Sequence, residues 1–79
     1  MSYKLSQLKI GQRAKLTSYG SISPYYRRYL LAFGLTEGII VYVAERAPLG
    51  CPIALNVRGS LVALRLDEAS DLEWDVLDE

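Results

Sequence analysis

From Arg13 to Thr17 polar and apolar residues alternate (Arg-Ala-Lys-Leu-Thr), the two-residue period of a strand with one buried and one wet face. A short apolar lead-in, Leu5, Leu8 and Ile10, stops before it at Gly11, and Gly20 closes the strand. The next segment predicts a helix of about ten residues. Ser23 can cap it, Pro24 fits its first turn, and Gly34 fits the left-handed position just past its end. With Gly34 as the stop, Leu30 and Leu35 fall where a Schellman-type ending places its hydrophobic contact. Tyr26, Leu30 and Phe33 share one face by three- and four-residue spacing, and that face is expected in the core.

After Gly38 the run Ile39-Ile40-Val41-Tyr42-Val43-Ala44 is β-branched and aromatic and too short for a lone helix, so it reads as a strand. Pro48-Leu49-Gly50-Cys51-Pro52 is a turn or rigid loop. Ile53, Leu55 and Val57 alternate with Ala54 and Asn56, and Arg58-Gly59-Ser60 turns the chain into Leu61 to Leu66, a hairpin pattern. Asp67 can cap a single helical turn from Glu68 to Asp71. In the last strand, Leu72 to Val76, Leu72, Trp74 and Val76 point one way and Glu73 and Asp75 the other. About five short strands, one α-helix after the first of them and a helical turn before the last predict a mainly-β domain whose bent antiparallel sheet closes on itself and hides its edges. The expected fold is a small SH3-like barrel, with residues 1–79 as one domain.

Composition narrows this picture. Hydrophobic residues are 51% of the 79 and charged residues 23%, which suits a compact domain and not a disordered one. A core this small leaves a modest margin, so oligomerisation or a bound partner would help it. The formal net charge is zero, yet nine bases and only two acids (Glu37, Glu45) lie in residues 1–65, while 66–79 carry seven acids and no base. Such asymmetry means either a basic surface for an anionic partner or two parts of one fold neutralising each other. No basic run exceeds Arg27-Arg28, which favours the second and argues against nucleic acid. The single cysteine, Cys51, cannot close an intramolecular disulfide, which points to a reducing, cytoplasmic setting. The N-terminal residues hold no apolar signal segment, and Ile39 to Ala44 is far short of the ~20 residues that span a bilayer. Any membrane role is therefore expected to run through a partner.

The absence of histidine removes the commonest general acid/base, the usual nucleophile pairs and the usual zinc ligand sets. No glycine-rich phosphate loop is present: Gly34 and Gly38 bracket a helix-to-strand connection and are not followed by lysine. Asp67, Glu68, Asp71, Glu73, Asp75, Asp78 and Glu79 are hard oxygen donors, but they form no recognised ligand loop and read as solvated acids. Neither a metal site, a cofactor nor an enzyme activity is expected, and Cys51 reads as a plain loop cysteine. The sharper signal is Tyr25-Tyr26-Arg27-Arg28-Tyr29. With Tyr26 inward, Tyr25 and Tyr29 lie four apart on another face beside Arg28. Tyrosine and arginine anchor protein interfaces and also stack on bases, while tyrosines lying over a barrel edge with wet hydroxyls would look the same.

The stretch Ile22-Ser23-Pro24-Tyr25-Tyr26-Arg27-Arg28-Tyr29-Leu30-Leu31-Ala32-Phe33-Gly34-Leu35 resembles the FeoA family, as do Gly38, the loop Ala47 to Ile53, Val57-Arg58-Gly59 and Ala63-Leu64-Arg65. The order and spacing of these pieces cover nearly the whole chain. The sequence departs from the family pattern at Glu37, often proline; at Cys51, usually aspartate; and at Tyr29, commonly basic. The resemblance implies a cytoplasmic SH3-like accessory protein of ferrous iron uptake that works with FeoB, a membrane iron permease with a GTPase domain, and is recruited to the inner membrane face by it. On that footing Tyr25, Arg28 and Tyr29 with Pro48, Leu49 and Gly50 are expected to form one docking face. The alternative is a regulatory or nucleic-acid-associated module, since domains of this type also occur appended to metal-dependent repressors.

Overall fold

A computed structural model describes residues 2–77; Met1 and the last two acids of the tail, Asp78 and Glu79, lie outside the described residues. The elements run β1 (Tyr3–Lys4), a 3-10 turn (Leu5–Gln7), β2 (Arg13–Ser18), α1 (Pro24–Ala32), β3 (Ile40–Arg46), β4 (Ile53–Val57), β5 (Ser60–Leu64), α2 (Leu66–Ala69) and β6 (Glu73–Val76). All strands join one antiparallel sheet in the order β1-β6-β2-β3-β4-β5. The mainly-β, SH3-like architecture is as expected, with six strands in place of about five. The extra strand, β1, pairs Tyr3 with Trp74 and Lys4 with Glu73. Because it precedes β2, the helix follows the second strand and not the first. Register shifts between Leu16 and Ser18 and between Val43 and Glu45 bend the sheet around one core.

The helix signals work as read. The Ser23 hydroxyl oxygen accepts from the Tyr26 N–H at 3.1 Å, and Pro24 opens the first turn. At the other end the Leu35 N–H donates to the Leu30 carbonyl and the Gly34 N–H to the Leu31 carbonyl, each at 3.0 Å, with Gly34 at φ +87°. This is the Schellman pair of bonds, and Leu30 and Leu35, its hydrophobic partners, are both fully buried. Phe33 is a correction: the expected core position is 48% exposed. It is the helix C-cap, at φ −97° and ψ 8°, so the helical spacing that would have carried it inward ends one residue before it.

The turn before the last strand is also shifted. It spans Leu66–Ala69 with Arg65 as N-cap, and Asp67 does not cap it. The Arg65 carbonyl accepts from Glu68 and Ala69 at 3.2 and 2.9 Å, a phase that buries Ala69 and Leu72 completely. The Asp67 carboxylate instead faces the Arg65 Nε at 3.6 Å.

Leu5 and Leu8, inward residues of β2 to β6, and Leu30 and Leu35 around the end of α1 make up the core, with no buried charged or polar residue among those described. Tyr19 ties α1 to it: its hydroxyl donates to the Leu35 carbonyl while the Arg27 guanidinium lies 4.9 Å over its ring. The charge asymmetry resolves partly within the sheet, where Glu73 and Asp75 of the acidic tail stand opposite Lys4 and Lys15. Among the described residues no helix is long and apolar enough to cross a membrane.

Candidate functional site

Helix α1 presents its tyrosines as a stepped aromatic wall. Tyr25 is 84% exposed, Tyr29 is 43% exposed, and Tyr26 is half-buried against the core. Three-residue spacing stacks Tyr26 on Tyr29, rings 5.5 Å apart and 13° from parallel, and Tyr29 meets Phe33 edge-on at 4.9 Å. Tyr25, Tyr26 and Tyr29 thus line a single groove of about 380 Å³, closed on its other side by Ala63, Arg65 and Glu68.

Burial, with Glu68, Tyr29 and Asp67 adding to it in that order, pushes the Tyr26 hydroxyl from 10.0 up to about 12. Burial raises Tyr19 too, helped by Glu37 and opposed by Arg27. For such groups the unfolded chain loses its proton first. The stabilisation is therefore complete below pH 10 and is lost as pH rises from there toward 12. Urea midpoints should fall between pH 9.5 and about 11.5 and fall less in Tyr26→Phe; an equal fall in both proteins would remove Tyr26 as a cause.

The loop from Ala47 to Pro52 is held by one side chain. Arg46 donates from Nη2 to the Ser6 carbonyl at 2.8 Å, from Nη1 to the Leu8 carbonyl at 3.2 Å and from Nε to the Gly50 carbonyl at 3.4 Å. Inside the loop the Gly50 N–H donates to the Ala47 carbonyl at 2.7 Å and the Ala47 N–H to the Pro52 carbonyl at 3.1 Å. Pro48 is thereby set into a second groove with Ile10, Ala44, Pro52, Ala54 and Ala63, while Leu49 stands 97% exposed at the tip. The half-buried Cys51 is engaged: its Sγ accepts from the Leu66 N–H at 3.3 Å, joining the loop to α2.

Ala63 lines both grooves, so Tyr25 and Tyr29 on one side and Pro48 on the other belong to one continuous surface. Arg28, Leu49 and Gly50 line neither groove: Arg28 projects from α1, and Leu49 and Gly50 form the outer turn of the loop. Sequence reasoning did not place Ala63, Arg65, Glu68 or Arg46 at the site. Among the described residues no cluster of three or more histidine, cysteine or acidic side chains could hold a metal.

The FeoA domain family model matches residues 3–74. The fold superposes on the solution structure of the FeoA protein from Chlorobium tepidum with a TM-score of 0.86 at 42% identity, covering 98% of this chain and 74% of that one. FeoA from Stenotrophomonas maltophilia, crystallised with zinc and described as a procaryotic SH3 domain protein, gives 0.75 at 26% identity, covering 92% and 89%. A manganese-dependent transcriptional repressor gives 0.85 at 17% identity, covering 96% of this chain and 41% of that one, a likeness of fold alone.

Proposed function

The chain belongs to the FeoA family, and from that premise we propose that it is a non-catalytic accessory protein of bacterial ferrous iron uptake that docks on the cytoplasmic part of a FeoB-type permease. The family's place in iron transport supports the first half, as does the description of the Stenotrophomonas maltophilia relative as "possibly acting as a bacterial ferrous iron transport activating factor". The observation that carries the second half is the continuous surface joining the α1 tyrosines through Ala63 to Pro48. Tyr29, exposed yet stacked on the half-buried Tyr26, loses little conformational freedom on binding, a property that suits an interface anchor.

The test is capture of the permease from a membrane extract on the tagged protein, with Tyr25→Ala/Tyr29→Ala in parallel. Both side chains are substantially exposed, so the variant should melt close to the native protein. Its affinity for the permease should fall by about tenfold or more, the scale of truncating interface tyrosines. Equal capture by both proteins would sink the assignment of this face, and retention of nucleic acid in place of the permease would turn the reading toward a regulatory module.

A further inference from the structure

The edge of the sheet beside the tyrosine wall is unpartnered. β5 is the last strand in the sheet order and pairs only with β4. Its backbone pattern follows from the turn that starts it. Arg58 at φ +53° and Gly59 at φ +88° are the two central residues of a tight hairpin whose flanks, Val57 and Ser60, face each other. Positive φ at both central positions is the type I′ geometry, in which the flanking pair exchanges both hydrogen bonds. Counting along the ladder, Leu55 with Val62 and Ile53 with Leu64 are the next bonded pairs. The N–H and C=O groups of Leu61 and Ala63 therefore point away from β4, toward the edge. Among the described residues nothing in the protein bonds to them. Both residues are exposed, Leu61 by 60%. The edge also lacks the usual protection: Ser60 to Leu64 contains no charge, no proline and no register shift.

Resting on the docking reading above, we propose that the partner contributes one extended, uncharged segment that lies in the groove between α1 and β5 and adds to the sheet as a strand on the outward groups of Leu61 and Ala63. Three features select that occupant. The unmet donors and acceptors call for main chain and not for side chains. The tyrosines of α1 and Ala63 of β5 line the same groove, so a chain added at this edge meets the aromatic rings as well as the strand. Among the described residues the only full charges on the walls, Arg65 and Glu68, have opposite signs, so an acidic segment or a nucleic acid gains at one and loses at the other. Small or flat apolar side chains at every second position fit against Ala63 and the tyrosine rings.

The probe is a phage-displayed library of random linear heptapeptides, selected on the native protein and followed by amide exchange on the complex. Enriched peptides should slow exchange at Leu61 and Ala63 by roughly tenfold or more while leaving Val62, already bonded to β4, unchanged. Ala63→Pro removes one outward N–H without touching the ladder to β4, a position where proline is tolerated in sheets, and should lose most of the peptide binding. Failure to enrich any linear peptide, or enriched peptides that leave both amides exchanging as in the free protein, would overturn the proposal. Permease capture with such a failure leaves the docking reading standing with a folded contact; peptide binding of the expected kind without permease capture does the reverse.

Discussion

Gly20→Ala should lower the stability of the domain by about 3 kcal/mol or more, enough to move its melting temperature down by some ~15 °C. Two costs combine at this position. Gly20 sits at φ +61°, a conformation that costs an alanine about 1 kcal/mol. The larger cost is steric, because a Cβ there would lie 2.0 Å from the Asp71 carbonyl oxygen and 2.9 Å from its carbon. Both are backbone atoms, so no rotamer change relieves the clash, and the segment between α2 and β6 has to move. That segment carries Leu72 and Trp74 into the core, which spreads the damage. Thermal unfolding followed by circular dichroism checks this; a melting temperature within a few degrees of the native one would show that the two backbones are not so close.

Trp74→Ala should cost about 3–5 kcal/mol, comparable to the whole stability of a domain this small. The indole is fully buried and lies opposite Leu16 on β2 and Tyr3 on β1, so its loss opens the core under β1, β6 and β2. Trp74→Phe should be far milder than the change in volume suggests. The indole Nε1 is buried without a hydrogen-bond partner, a burden of about 1–3 kcal/mol that phenylalanine removes. Urea midpoints of the two variants separate these effects; equal losses would mean that the indole nitrogen contributes to stability in the native protein.

The elements legible in the sequence are those written in local physics. β2, β4 and β6 show a two-residue alternation because each has one buried face, and α1 is bounded by Ser23 and Gly34, whose roles depend only on neighbouring backbone. β1 is illegible because two residues carry no period; Tyr3 becomes a strand residue only when Trp74 arrives beside it. Phe33 and the phase of α2 were misread for a related reason: where a helix starts or stops by a residue is decided by which side chains the finished core accepts, here Ala69 and Leu72 and not Asp67. The site divides the same way. Tyrosines beside arginines announce an interface by their chemistry, but the methyl of Ala63 announces nothing, and its position between two grooves exists only once β5 lies beside α1.

That single methyl has a further consequence. Because both grooves abut Ala63, a ligand long enough to reach from the tyrosines to Pro48 would bind as a chelate. Its second contact would form at an effective concentration in the millimolar range, so each half could be weak and exchange quickly while the pair holds. Discrimination would then come from reach: a segment that fills one groove would fall short, with no repulsive contact needed to reject it.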